Sequence, residues 1–266
     1  MELLEHKTNI GLIRNKNEDC VLSLSHIKNK TIKLLLVADG MGGKDDGDIA
    51  SNYVVSSIAK WFQNKDIKTL NDTQKTISLL NRYIKLLNTK LINTYGINHL
   101  GTTLSLALIN KHETIILNIG DSRVYKYQEK CLYQITEDDS EVWDYYKTGA
   151  VEKDNLRYFS NSNLITSCLG LHPNLCKITT QIISNSYEIL LLLTDGVTDI
   201  LKDKKIAQII KKSSYQLILE NLIKEAVYID QKLTVPQKLK HKFLANFIIP
   251  MHGKDNASGA IYIKNV

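Results

Sequence analysis

A chain of 266 residues with 43% hydrophobic and 23% charged residues has the balance of a globular protein that buries a sizeable core, which excludes intrinsic disorder as its resting state. Its formal net charge of +6 is carried almost entirely by lysine, and with Arg14, Arg82, Arg123 and Arg157 as its arginines, no nucleic-acid surface is expected. Cys20, Cys131, Cys168 and Cys176 form no CxxC pair or cysteine-histidine cluster, which argues against zinc and a disulfide framework, and the apolar run Ile189 to Leu193 is far too short to span a bilayer.

In chain order, runs rich in Ile, Leu and Val predict strands at Cys20 to Ser25 and Ile32 to Ala38. Ala50, Val54, Ile58 and Phe62 then step by four, and Ile77, Leu80, Ile84, Leu87 and Leu91 alternate steps of three and four, so two amphipathic helices packed as a hairpin are expected. Further strands are predicted at Thr102 to Ile109, Thr114 to Ile119, Arg123 to Tyr127, Ile178 to Ile183 and Ile189 to Thr194. Helical periodicity returns at Ile206 to Ile210 and Leu217 to Val227, and Ala260 to Ile263 closes the chain as a strand. The order predicts an α+β layered fold in one domain, residues 1–266, with an irregular insertion at about 231–253.

Two predicted strands end alike: LLLVADG runs into Asp39 and Gly40, and LLLLTDG into Asp195 and Gly196. Either alone reads as an Asp-Gly turn. Together they place two carboxylates at the rims of buried strands, where an unpaired charge is costly and a cation would relieve it. Oxygen donors without nearby His or Cys favour Mg2+ or Mn2+, and the glycines let a backbone carbonyl approach such an ion. Glu18 and Asp19 in RNKNED, Asp121 in IGDSRVY and Asp255 in KDNAS are further acidic candidates, although taken singly such a residue is more often a turn or cap residue. Arg14, four residues before Glu18, has the forked guanidinium suited to a phosphate. ADGMGGK is not a Walker loop, because Ala38 and Asp45 stand where glycine and Ser or Thr are needed.

Taken in order, GLIRNKNED, VADGMGG, GTT at Gly101 to Thr103, IGDSRVY, TEDDS, ITSCLG, LLTDGVTD and DNAS resemble the successive motifs of the type 2C (PPM family) metal-dependent protein serine/threonine phosphatases, in their bacterial form. The resemblance runs from about Asn9 to Ile263. It implies a central β-sandwich of two antiparallel sheets flanked by antiparallel helix pairs, in four αββα layers, and hydrolysis of phosphoserine and phosphothreonine by a metal-activated water. By it, Asp39 would bridge two Mn2+ or Mg2+ ions with the Gly40 carbonyl on one of them, and Asp195 and Asp255 would bind the other. Glu18 and Asp19 would hold the metals directly or through water, Arg14 would grip the substrate phosphate, and Asp121 matches a residue linked to a third, weaker metal. The implied partners are a phosphoprotein substrate and an opposing serine/threonine kinase; a monomeric, cytoplasmic protein without nucleic-acid or membrane partners is expected, with delivery into another cell by a signal-less route left open.

The chain departs from the family pattern at Asp139, where relatives carry histidine, and at Met41, where some carry a histidine proposed as general acid. A flap is expected at about 145–163, with Lys147, Lys153, Arg157, Tyr158 and Phe159 near the site. A pseudophosphatase that keeps the fold to bind a partner, and a hydrolase of small phosphoesters, are the alternative classes.

Overall fold

The computed structural model describes residues 2–42, 46–228, 236, 239, 246–248, 250–251 and 253–264. In chain order its elements are β1 (Leu3–Asn9), β2 (Asp19–His26), β3 (Asn29–Gly42), α1 (Gly47–Asn64), α2 (Ile67–Asn71), α3 (Thr73–Tyr95), β4 (Leu100–Thr102), β5 (Leu104–Ile109), β6 (Glu113–Ile119), β7 (Arg123–Gln128) and β8 (Cys131–Gln134). There follow α4 (Trp143–Lys147), a 3-10 segment at Lys153–Tyr158, β9 (Thr179–Ser184), β10 (Ile189–Leu193), α5 (Asp195–Thr198), α6 (Asp203–Lys212), α7 (Ile218–Tyr228) and β11 (Ala257–Ile263). Among the described residues, no helix is long and apolar enough to cross a membrane.

Two sheets form, ordered β1-β11-β10-β7-β8 and β2-β3-β5-β6-β9, with β4 attached to β3. Their inner faces meet through Leu35, Val37, Ala107, Ile116, Leu190, Leu192 and Ala260. The other face of β3, carrying Leu34, Leu36 and Ala38, packs under Val54, Ile58, Leu80 and Ile84 of α1 and α3. On the opposite side Leu191, Leu193 and Ile261 pack under Ile206, Leu219 and Leu222 of α6 and α7. Covering both faces explains why the central strands read as unbroken apolar runs instead of alternating ones, and it yields the expected four-layer α+β sandwich.

The expected helix pair is present, with Trp61 of α1 stacked on Tyr83 of α3 at 6.2 Å between ring centroids. Asp66 and Asp72 start α2 and α3 by accepting from Thr69 N and Lys75 N, each satisfying an otherwise orphaned helix donor. Three strand expectations are revised. β3 runs three residues past Asp39 to Gly42, and the predicted strand Thr102 to Ile109 breaks at Thr103 into β4 and β5. Two further strands, β1 and β8, sit at opposite edges of the first sheet. Of the expected insertion at 231–253, residues 231–235, 237–238, 240–245, 249 and 252 lie outside the described residues.

The flap expected at 145–163 has its own small core, in which Trp143, Leu156, Tyr158 and Phe159 bury together with Leu239 and against Phe247 of the insertion. Main-chain bonds from Ser160 N to Asn246 O (3.0 Å) and from Ile248 N to Tyr158 O (2.7 Å) fasten the two segments together.

Candidate active site

Strand alternation carries the acids to one place. In β3 the inner-face series Leu35, Val37 continues to Asp39, and in β2 Val21 leads back to Asp19; the two aspartates are direct cross-strand partners. Like charges facing each other across a ladder are destabilising unless something of opposite sign lies between them. From the other sheet, the inner-face series Leu190, Leu192 leads to Thr194, whose hydroxyl donates to Asp19 Oδ2 at 2.9 Å, and Asp195 follows as the first residue of α5. Asp39 and Asp195 face each other across the mouth of the sandwich, close enough for each to shift the ionisation of the other. Asp255 stands two residues before β11, where Arg14 Nη2 donates to its Oδ2 at 2.9 Å.

The backbone at Asp39 is held from three directions. Asp39 N donates to Thr103 Oγ1, and Asp39 O accepts from Thr103 N and Thr102 Oγ1, all at 2.9 Å. Thr103 Oγ1 also bonds Ser122 Oγ, which ties Asp39 to the Asp121 turn. Gly40 crosses Gly47 so closely that a Cβ would collide with the Gly47 carbonyl, so only glycine lets α1 start against the end of β3. Asn256 accepts from Glu18 N and donates to Ile10 O and Lys16 O, fixing both ends of the loop that carries Arg14. Thr102, Thr103, Thr194 and Asn256 are thus site residues that the sequence reading missed, although GTT, LLTDG and DNAS contain them.

Glu18 and Asp19 part company. Asp19 faces the carboxylates, whereas Glu18 Oε1 accepts from Gly47 N at 2.8 Å at the start of α1 and its other oxygen lies 3.8 Å from Arg14. Asp121 lies buried in the turn between β6 and β7, behind Asp195. Asp139, standing where histidine was expected, accepts from Gly120 N at 3.0 Å while its own N donates to Gly120 O, so it braces that turn. Arg157 is spent structurally: it is 6% exposed, and its Nη1 donates to the carbonyls of Asp199 (2.7 Å) and Ile200 (2.8 Å).

Arg14, Glu18, Asp39, Asp121, Asp195 and Asp255 line one cleft of about 220 Å3 together with Gly40 and Met41, and among the described residues no His or Cys lines it. Among the described residues no three acidic, His or Cys side chains are drawn into a closed ligand cage; the carboxylates repel one another across the cleft.

The fit to hard divalent cations rests on the donors. They are all oxygen, and Asp19 Oδ1 and Asp195 Oδ1 are buried without a hydrogen-bond partner, an arrangement that costs stability unless a cation satisfies it.

Burial first, and then the neighbouring acids, raises Asp19, Asp39, Asp121 and Asp195. Asp195 is pushed up to about 7 by burial, Asp255 and Asp199. Asp39 is raised well above its ordinary value by burial, Asp195 and Asp19, and Asp121 by burial and Asp195. For an acid raised in the folded state, the folded protein holds the proton longer than the unfolded chain does. The resulting stability is full below the ordinary aspartate value of 3.8 and is lost as pH rises to about 7. In EDTA the melting temperature should therefore fall from about pH 5 to about pH 8, while the gain from added Mn2+ should grow, because binding displaces protons. Calorimetric scans check this. An EDTA profile no flatter after Asp195→Asn would remove Asp195 as its source.

The family described as Protein phosphatase 2C matches residues 15–233. The serine/threonine phosphatase stp of Listeria monocytogenes serotype 4b (strain F2365) is 32% identical over 212 residues, covering 78% of this chain and 82% of that protein. The crystal structure of the serine/threonine phosphatase Stp1 from Staphylococcus aureus superposes with a TM-score of 0.80 at 26% identity, covering 100% of this chain and 96% of that one. The catalytic domain of the serine threonine protein phosphatase PstP, solved in complex with 2 manganese ions, shares the fold at 22% identity with a TM-score of 0.71, covering 98% and 97%. With its family match spanning most of its length and its carboxylates gathered at the mouth of the sandwich, the chain belongs to the protein phosphatase 2C family.

Proposed function

We propose that the protein hydrolyses phosphoserine and phosphothreonine on proteins, using two Mn2+ or Mg2+ ions, with room at Asp121 for a weaker third, in a single phosphatase domain that acts as a monomer opposite a serine/threonine kinase. The observation that carries this reading is the meeting of Asp19 and Asp39 from one sheet with Asp195 from the other, beside an arginine on the rim. Relatives named as serine/threonine phosphatases support the substrate class.

Asp39 would be shared between two ions, with Asp19, Asp195, Asp255 and the Gly40 carbonyl completing the oxygen donors. Ions so held lower the pKa of a bound water toward neutrality and screen the charge that builds on a phosphoryl group. Arg14 is 43% exposed and bonded to Asp255, so its guanidinium can turn to take two phosphoryl oxygens in a fork, with Glu18 behind it limiting its swing. Asp139 and Thr103 keep the Asp121 and Asp39 backbones fixed, so the donors need little rearrangement.

Phosphate release from a phosphothreonine peptide and a phosphotyrosine peptide, with Mn2+ and with EDTA, tests the proposal. Release from phosphothreonine that requires Mn2+ is expected. Folded protein that binds Mn2+ yet releases phosphate from neither peptide, with any divalent metal, would leave the chain a binding protein on a phosphatase fold.

A further inference from the structure

Beside the carboxylate cleft lies a second cavity of about 270 Å3. Arg14, Asp195 and Asp255 line both, so the two form one continuous depression. The far wall of the second cavity is apolar and comes largely from the insertion: Ile248, Pro250 and Met251, with Ile200 beneath them. Met251 is 55% exposed and Ile248 37%. Leu12, 61% exposed, adjoins them, since its N donates to Gly253 O at 2.7 Å. Exposed apolar side chains gathered beside a polar site mark a surface that something apolar covers.

Resting on the phosphatase reading, we propose that this cavity is a subsite for an apolar side chain flanking the phosphorylated residue of the substrate protein. A phosphate held at Arg14 puts the next residues of an extended peptide within about 3.5 Å per residue of the cavity mouth. Arg157, which lines the cavity together with Arg14 and Lys254, is already committed to the carbonyls of Asp199 and Ile200. The Ile248 end of the apolar wall is fastened to the flap segment before substrate arrives. Ile248 is bonded to Tyr158 O, Asn246 O accepts from Ser160 N, and the Phe247 ring lies 5.2 Å from Phe159 in the flap core. A wall fastened at that end spares part of the ordering cost that a loose loop would charge against binding.

The 266-residue chain with Mn2+, as wild type and as Met251→Glu, would be assayed on p-nitrophenyl phosphate and on phosphothreonine peptides bearing Leu, Lys or Asp at the two positions on either side of phosphothreonine. The wild type should prefer the Leu peptides over the Asp peptides in kcat/KM by roughly 10-fold. Met251→Glu should abolish that preference and leave p-nitrophenyl phosphate hydrolysis unchanged, because that substrate has no flanking side chain to place. Equal turnover of the Leu, Lys and Asp peptides by the wild type, or a preference that survives Met251→Glu, overturns the subsite while leaving the phosphatase reading standing. A wild type inactive on p-nitrophenyl phosphate and on every peptide overturns the phosphatase reading itself, and the subsite with it.

Discussion

Asn in place of Asp39 is expected to lower kcat/KM for a phosphothreonine peptide by at least about 10³-fold, because losing a shared ligand must exceed the roughly 10- to 100-fold cost of losing a residue that only orients one. The substitution preserves shape and size, and the backbone on both sides of the side chain stays clamped by Thr102 and Thr103, so the fold should survive. A second readout follows from charge. Asp39 is raised by burial and by Asp195 and Asp19, so its ionised form is a burden on the metal-free protein. Asp39→Asn should therefore melt at the same or a higher temperature than wild type in EDTA near neutral pH, and gain less from Mn2+. Loss of activity together with a lower melting temperature in EDTA would instead point to a structural role for the carboxylate, and full activity would remove Asp39 from the site.

That the same aspartate was visible in the sequence has a physical reason. Strands covered on both faces read as pure Leu, Ile and Val, so an acid interrupting such a run stands out, as Asp39 and Asp195 do. Alternation could have gone further, because neighbours in a strand point to opposite faces. Glu18 and Asp19 leave the strand on opposite faces: Asp19 continues the inner face of Val21, and Glu18, which lines the cleft, has one oxygen turned to Gly47 N. The edges were harder to read. β1 carries Glu5, His6 and Lys7 at a partly exposed edge, and β8 follows a turn in which Glu129 (φ 51) and Lys130 (φ 63) take the left-handed conformation that Gly or Asn normally announces. The clamps at Thr102, Thr194 and Asn256 were hidden for another reason: small polar residues in loops look alike until their partners, often more than 60 positions away, are known. Arg157 lies near the site as its flap position implies, but its commitment to the carbonyls of Asp199 and Ile200 could not be read from the sequence.

Ala in place of Asp138 is expected to destabilise the protein by about 3–5 kcal/mol, with little dependence on salt. Arg123 Nε lies 2.9 and 3.0 Å from the two Asp138 oxygens and Nη2 lies 2.6 Å from Oδ2, with both side chains buried. Truncating the acid strands a guanidinium in the interior, and the penalty is that uncompensated charge more than the lost attraction. For a chain of this size it corresponds to a fall of roughly 6–20 °C in melting temperature. Activity should fall as well. Arg123 opens β7 two residues after Asp121, pairs in register with Leu193 two residues before Asp195, and lies 5.9 Å from the Trp143 ring in the flap core. One ion pair therefore sits between the carboxylate cleft and the flap. Replacing both partners, Arg123→Met with Asp138→Leu, should recover most of the stability, since a well-packed apolar pair can match a buried ion pair. A single Asp138→Ala within about 1 kcal/mol of wild type by urea unfolding would show that water reaches Arg123, and would relocate the anchor of the flap to the apolar cluster around Trp143 and Phe159.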